Sequence, residues 1–199
     1  MEDQAEENLN KLINRSLIQI GQASRGRIKT CRVHDLLRDL AIRKAEELKF
    51  VCINDEAKFS TQSSKSFRRQ AFNLGIKTDI VLQNCNPLCR SLLLFNHLSL
   101  RVPTLFEALV LNVCRMLRVV KVLDIENCIN QESESLPEEI GKLIHLKYLG
   151  LGNASVIRLP PSIGKLSSLQ TLDLQSNPGS ATNFQLPTDI GKLTELELT

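Results

Sequence analysis

The side chains able to act as nucleophiles, metal ligands or proton carriers are few and scattered. Six cysteines stand at Cys31, Cys52, Cys85, Cys89, Cys114 and Cys128, beside only three histidines. A closed zinc site needs four converging ligands, and Cys85 and Cys89 find only His97 as a further candidate nearby, so no metal is expected. The opening Met1-Glu2-Asp3-Gln4-Ala5-Glu6-Glu7 is the reverse of a basic, apolar export signal, and the cysteines therefore read as buried reduced thiols. One adjacent pair, His34-Asp35, couples an imidazole to a carboxylate; its plain reading is the start of a helix, where the dipole favours negative charge. The string Gly-x-x-x-x-Gly-Lys-Ser/Thr, whose backbone and lysine cradle nucleotide phosphates, occurs nowhere. No catalytic residue emerges, and the chain is expected not to be an enzyme.

What positions these groups is a chain of 199 residues, 42% hydrophobic and 24% charged, an ordinary balance for a folded protein. No apolar run approaches the length of a membrane span. The bias lies in leucine, which supplies 34 residues against one Tyr, seven Phe and no Trp. The net charge of +3 is uneven: residues 1–80 hold 15 Lys and Arg against 11 Asp and Glu, whereas residues 81–199 hold 10 against 11.

The leucines repeat. Leu-Pro-x-x-Ile-Gly-Lys-Leu occurs at 136–143, 159–166 and 186–193, with its isoleucines 23 and 27 residues apart, a spacing proper to leucine-rich repeats. Between these strings runs L-x-x-L-x-x-L-x-L, as Leu143, Leu146, Leu149, Leu151 and as Leu166, Leu169, Leu172, Leu174, with a weaker copy at Leu117, Val120, Leu123, Ile125. Each L-x-L is a short strand with its leucines on one face, and one coil cannot bury that face alone, so the coils must stack into a parallel sheet on the concave side of a solenoid. In the recurring string Pro stiffens the return segment, Ile and Leu fill the core, and Gly relieves a crowded backbone position. Partner contact then falls to the residues flanking the leucines: Val122, Asp124 and Glu126; Tyr148, Gly150 and Gly152; Thr171, Asp173 and Gln175. Their acidic members hint at a basic partner. A degenerate coil is expected around Cys89–Phe95, and the apolar stretch 105–117 suits helix or coil. Leu193–Thr199 enters another strand pattern without a polar capping repeat, as expected of a piece of a longer array.

In the front segment, Ala5, Leu9, Leu12 and Ile13 fall at helical spacing, with Asp3 as the expected N-cap. Alternating residues 17–20, a polar turn over 21–27 and residues 28–33 predict a hairpin, and a second helix opens at His34-Asp35. Helix, hairpin and helix make the tail of a winged helix. The wing carries Arg25, Arg27, Lys29 and Arg32, a phosphate-binding stripe, but the helix before it lacks a cluster of Arg, Asn and Gln to read bases. A DNA-binding winged helix with a repeat appendage is the weaker reading.

Asn14-Arg15-Ser16-Leu17-Ile18-Gln19, then Cys31-Arg32-Val33-His34-Asp35-Leu36-Leu37-Arg38-Asp39-Leu40-Ala41, then Ser66-Phe67-Arg68-Arg69-Gln70-Ala71-Phe72 and the Leu-Pro-x-x-Ile-Gly-Lys-Leu strings together resemble the plant intracellular immune receptors with a nucleotide-binding domain and leucine-rich repeats. Within them the chain is most similar to the coiled-coil subgroup of late-blight and downy-mildew resistance proteins. The resemblance implies an α/β chain with a winged-helix tail at 1–56, a connector at 57–80 and leucine-rich repeats at 81–199. It aligns Val33-His34-Asp35 with a Met-His-Asp motif and implies that His34 contacts the phosphates of ADP while Asp35 holds the resting state. It further implies a cytoplasmic receptor, switching between ADP and ATP, whose repeats contact a pathogen effector or guarded host protein and restrain the nucleotide-binding domain. Without the phosphate cradle, this chain alone is expected to bind no nucleotide tightly.

Overall fold

The computed structural model describes residues 2–24, 27–28, 30–54, 66–73, 85–95, 103–126, 135–152, 154, 156, 158–174 and 186–198. They fall into two compact units, 1–48 and 49–199.

The front unit follows its periodicity. Helix α1 spans Glu2–Asn14, so Asp3 lies inside the first turn rather than at the cap. Ser16 ends it at φ 57°, with Leu17 N donating back to Leu12 O at 3.0 Å, a left-handed close made without glycine. Strands β1 (Ile18–Ile20) and β4 (Cys31–Val33) pair antiparallel with Ile18 opposite Val33. The segment expected to be a loose turn pairs as well: β2 (Ala23–Ser24) against β3 (Arg27–Ile28). Helix α2 spans Asp35–Glu47 and buries no residue. Leu36 is 75% exposed and Leu40 47%.

The second unit is a seven-stranded parallel sheet in sequence order: β5 (Cys52–Asn54), β6 (Arg69–Asn73), β7 (Ser91–Phe95), β8 (Val122–Glu126), β9 (Tyr148–Gly150), β10 (Thr171–Asp173) and β11 (Glu197–Leu198). Its boundary departs from the expected one. The units divide after Leu48 rather than near 56, and the segment expected to be a connector at 57–80 supplies β6. The resemblance of Ser66–Phe72 to the family's Ser-x-Arg-Arg strand pointed to it, whereas the leucine pattern did not, because Gln70 occupies the slot that Leu92, Leu123, Leu149 and Leu172 fill along the sheet. That buried amide is satisfied: its Oε1 accepts from Asn86 N at 2.8 Å, as a buried polar group requires.

The return segments explain the repeated string. In each, proline fixes φ near −70° and its carbonyl accepts from the isoleucine N–H three residues on, closing the 3₁₀ turns Glu138–Lys142, Pro161–Lys165 and Thr188–Lys192. Between β7 and β8 the return is instead helix α3 (Pro103–Met116), which buries Leu109, Val110, Val113 and Cys114. The core lies between sheet and returns, with Leu123, Ile125, Leu149, Leu151 and Leu172 meeting Ile140, Leu143, Leu146, Ile163, Leu166 and Leu169, all fully buried. Coil spacing is set at the glycines: a Cβ on Gly164 would lie 2.6 Å from Asp189 O in the next coil.

Candidate functional site

Parallel register turns the residues between the leucines into rows. Val122, Tyr148 and Thr171 stand level across β8, β9 and β10, as do Asp124, Gly150 and Asp173. The five side chains described among the expected contact residues, Val122, Asp124, Tyr148, Thr171 and Asp173, are half-buried rather than fully exposed. Gly150 is buried, against expectation, because its neighbours lean over it. A Cβ there would collide with Asp124 Oδ1 and lie 2.9 Å from Tyr148 Cε1. The Tyr148 hydroxyl lies 3.3 Å from Asp173 Oδ2 and donates to it across 25 residues of sequence. The glycine notch thus gathers two carboxylates and a phenol on the open sheet face, a set suited to accepting hydrogen bonds from a cationic or amide-bearing partner. The Glu126 side chain and Gln175 lie outside the described residues.

In the front unit, His34 is the N-cap of α2 at φ −62°, ψ 138°, and its Nδ1 accepts from Leu36 N at 3.3 Å. An accepting Nδ1 assigns the tautomer with the proton on Nε2, leaving Nε2–H available to an acceptor outside the helix. Asp35 sits in the first turn, exposed, where helix polarity favours it. A capping imidazole fits the edge of a phosphate site but cannot replace a glycine-rich cradle and its lysine, so these residues alone do not fit a complete nucleotide site. Of the basic wing, Arg25 and Lys29 lie outside the described residues, as does the Arg27 side chain; Arg32 is exposed on β4.

The expectation of buried thiols holds for Cys85, Cys89 and Cys114 and fails for Cys31, which is exposed on the short, open β4; Cys52 is half-buried, and Cys128 lies outside the described residues. None of the five described cysteines is in a disulfide. Cys85 and Cys89 meet each other: the hydrogen bond that Cys85 donates to Cys89, and then burial, push the Cys85 thiol up, while accepting the same bond holds Cys89 below its ordinary value. Burial, reinforced by the Glu139 charge, pushes the Cys114 thiol up to about 12. Among the described residues no three His, Cys, Asp or Glu side chains gather as a metal site.

Sequence reasoning missed one alignment. Arg68, Arg90, Lys121 and Lys147, each just ahead of a strand, are joined in series by backbone hydrogen bonds of 2.7–2.8 Å. The signal was present in the basic residue ahead of Leu92, Leu123 and Leu149, but Arg68 joins the series only through the register of β6.

Parallel strands of stacked coils with proline-initiated 3₁₀ returns define a leucine-rich-repeat solenoid. The family described as leucine-rich repeat region matches residues 89–198, and the disease resistance protein winged helix domain matches residues 1–41. The chain belongs to the disease-resistance proteins that join a winged helix to leucine-rich repeats. It is 38% identical over 179 residues to putative disease resistance RPP13-like protein 3 and 36% identical over 181 residues to disease resistance protein RPP13, both of Arabidopsis thaliana. Each alignment covers 89% of this chain and 20% of the relative, so the chain spans about a fifth of those proteins' length. A solved leucine-rich-repeat protein of Leptospira interrogans is similar at a TM-score of 0.45 and 22% identity, over 77% of this chain and 38% of that one. Among the described residues no helix is long and apolar enough to cross a membrane.

Proposed function

We propose that this chain is a section of a plant disease-resistance receptor, cytoplasmic and non-enzymatic, whose repeats bind protein and whose winged-helix tail belongs to a nucleotide-dependent switch. The observation that carries the reading is the open face at Gly150, where Asp124, Tyr148 and Asp173 are gathered on rigid strands. The partner is a pathogen effector, a guarded host protein or the receptor's own nucleotide-binding domain. The front unit supports the second half of the reading. With Ile20 49%, Leu36 75% and Leu40 47% exposed, it presents apolar surface that is stabilised only when further protein covers it. In the intact receptor His34 offers Nε2–H at one edge of an ADP or ATP site whose cradle other residues supply.

Replacing Asp124 and Asp173 by lysine in the receptor should abolish the resistance response while leaving protein abundance unchanged; an undiminished response would reject the face as the contact surface. Titration of ADP into this chain alone should show no tight binding. Tight binding would overturn the division of the nucleotide site.

A further inference from the structure

We infer that Cys85 and Cys89 form a redox modification site, a buried dithiol that hydrogen peroxide or another small hydroperoxide converts to an intramolecular disulfide. The inference goes beyond partner binding and uses no residue of the Asp124–Asp173 face. The two cysteines stand four residues apart in the turn that leads into β7, and both belong to the core of the repeat unit, 4% and 0% exposed. Cys85 donates a hydrogen bond to Cys89, so the two sulfurs are neighbours. Cys89 in turn donates to Ser91 O at 3.1 Å.

The turn that carries the pair is tied down on several sides. Cys89 N donates to Asn86 O at 2.8 Å and Leu88 N to Asn86 Oδ1 at 2.8 Å, which closes the turn about Pro87, whose ring fixes φ. Asn86 is itself bound to the preceding coil. Its N donates to Gln70 Oε1 at 2.8 Å and its Nδ2 to Phe67 O at 3.0 Å. A turn held in this way keeps one thiol against the other in the reduced protein, and such proximity replaces a chance encounter with an oriented one.

Cys114 shows what burial alone does. It is fully buried without a thiol partner, and burial reinforced by the Glu139 charge pushes it up to about 12, which leaves an inert thiol at neutral pH. Cys89 is equally buried, yet the hydrogen bond from Cys85 holds it below its ordinary value against that burial, with backbone hydrogen bonds at Ser91 and Gln70 acting in the same direction. Cys89 is therefore the nucleophile. Cys85, pushed up by donating that bond and by burial, keeps its proton for the second step.

The chemistry has two steps. The Cys89 sulfur, having released its proton, attacks one peroxide oxygen; the O–O bond breaks, and the departing hydroxide takes up that proton as water, leaving a sulfenic acid on Cys89. The Cys85 sulfur then attacks the Cys89 sulfur. The S–S bond forms, the S–O bond breaks, and the hydroxyl leaves with the Cys85 proton as a second water. Two thiols are oxidised and one peroxide is reduced. Both sulfurs face the core, so the oxidant must be small.

Trypsin cuts after Lys77 and Arg90, so both cysteines fall in one peptide, residues 78–90. The full chain is reduced, treated with hydrogen peroxide while folded, as circular dichroism confirms, and then alkylated in denaturant, digested and weighed. Peptide 78–90 should escape alkylation, weigh two hydrogens less than the dithiol, revert with dithiothreitol, and form at least about tenfold faster than Cys114 is oxidised. In Cys85→Ser, dimedone should trap the sulfenic acid on Cys89; in Cys89→Ser, Cys85 should stay reduced. Full alkylation of both cysteines after peroxide, a disulfide formed only in denaturant, or oxidation of the pair no faster than that of Cys114 would overturn the site. Dimedone capture on Cys85 in Cys89→Ser, as fast as the disulfide forms in the unsubstituted chain, would do so too. If either serine variant fails to fold, the comparison with Cys114 in the unsubstituted chain decides.

Discussion

A Cβ placed on Gly141 would stand 2.6 Å from the carbonyl oxygen of Ser162, in the following coil. Successive returns touch at this point, so the glycine in the repeated string sets the distance between coils. Glycine here serves close approach and not an unusual backbone angle.

Gly141→Ala should therefore destabilise the repeat unit by about 1–3 kcal/mol through overpacking against backbone. Gly191 holds the same place in the last string but has nothing within 4 Å of its Cβ position. Gly191→Ala should be neutral or stabilise by up to about 1 kcal/mol, through the unfolded chain's lost freedom. Urea denaturation of both variants checks the pair; equal midpoints would show that the contact does not set the spacing.

Ser162 is 5% exposed and its Oγ makes no hydrogen bond. Removing an unsatisfied buried hydroxyl relieves its desolvation cost. Ser162→Ala should stabilise by about 1 kcal/mol, read as a raised thermal midpoint; a lowered midpoint would mean that the hydroxyl is satisfied.

At the start of α2, His34→Ala removes the acceptor for Leu36 N and should cost about 1 kcal/mol of helix stability, whereas His34→Asn keeps a capping oxygen and should restore most of it. Amide hydrogen exchange at Leu36 and Leu37 reports this locally. Unchanged protection in the alanine variant would separate the imidazole from the cap.

The thiols predict both labelling and a pH response. At neutral pH a maleimide should modify exposed Cys31 rapidly and spare buried Cys85, Cys89 and Cys114 until the repeat unit unfolds. Cys114 ionises near 9.0 when unfolded but only at about 12 when folded. Stability is therefore fully present below pH 9 and lost as pH rises from 9 toward 12, by about 1.4 kcal/mol per pH unit from this group. Cys114→Ala, measured alongside, should flatten that fall. An unchanged slope would place its cause elsewhere.

Much of the architecture was legible in the residues. Leu-Pro-x-x-Ile-Gly-Lys-Leu marked each return, because proline, isoleucine and glycine each answer a backbone or packing requirement met in every coil. The alternating leucines of β8, β9 and β10 marked the sheet, and His34-Asp35 marked the start of α2. The first strands escape the leucine pattern: β5 offers Cys52-Ile53-Asn54, and β6, marked only by the resemblance of Ser66–Phe72 to a family strand, carries Gln70 in the leucine slot, with Asn86 supplying the polar partner that lets an amide replace a leucine. At the candidate site, the sequence named Asp124, Tyr148 and Asp173 as flanking residues but not their convergence over Gly150, which depends on the close approach of β8, β9 and β10.

The sequence by itself determined the family, the coil length and the face that each leucine buries, since these follow from period and residue type within one coil. Tertiary structure alone decided which residues from different coils stand level: Asp124 beside Gly150, Tyr148 within reach of Asp173, and Arg68 in series with Arg90, Lys121 and Lys147. Strand register is carried by backbone hydrogen bonds common to every residue type, and it becomes fixed only when the coils stack and bury their shared core.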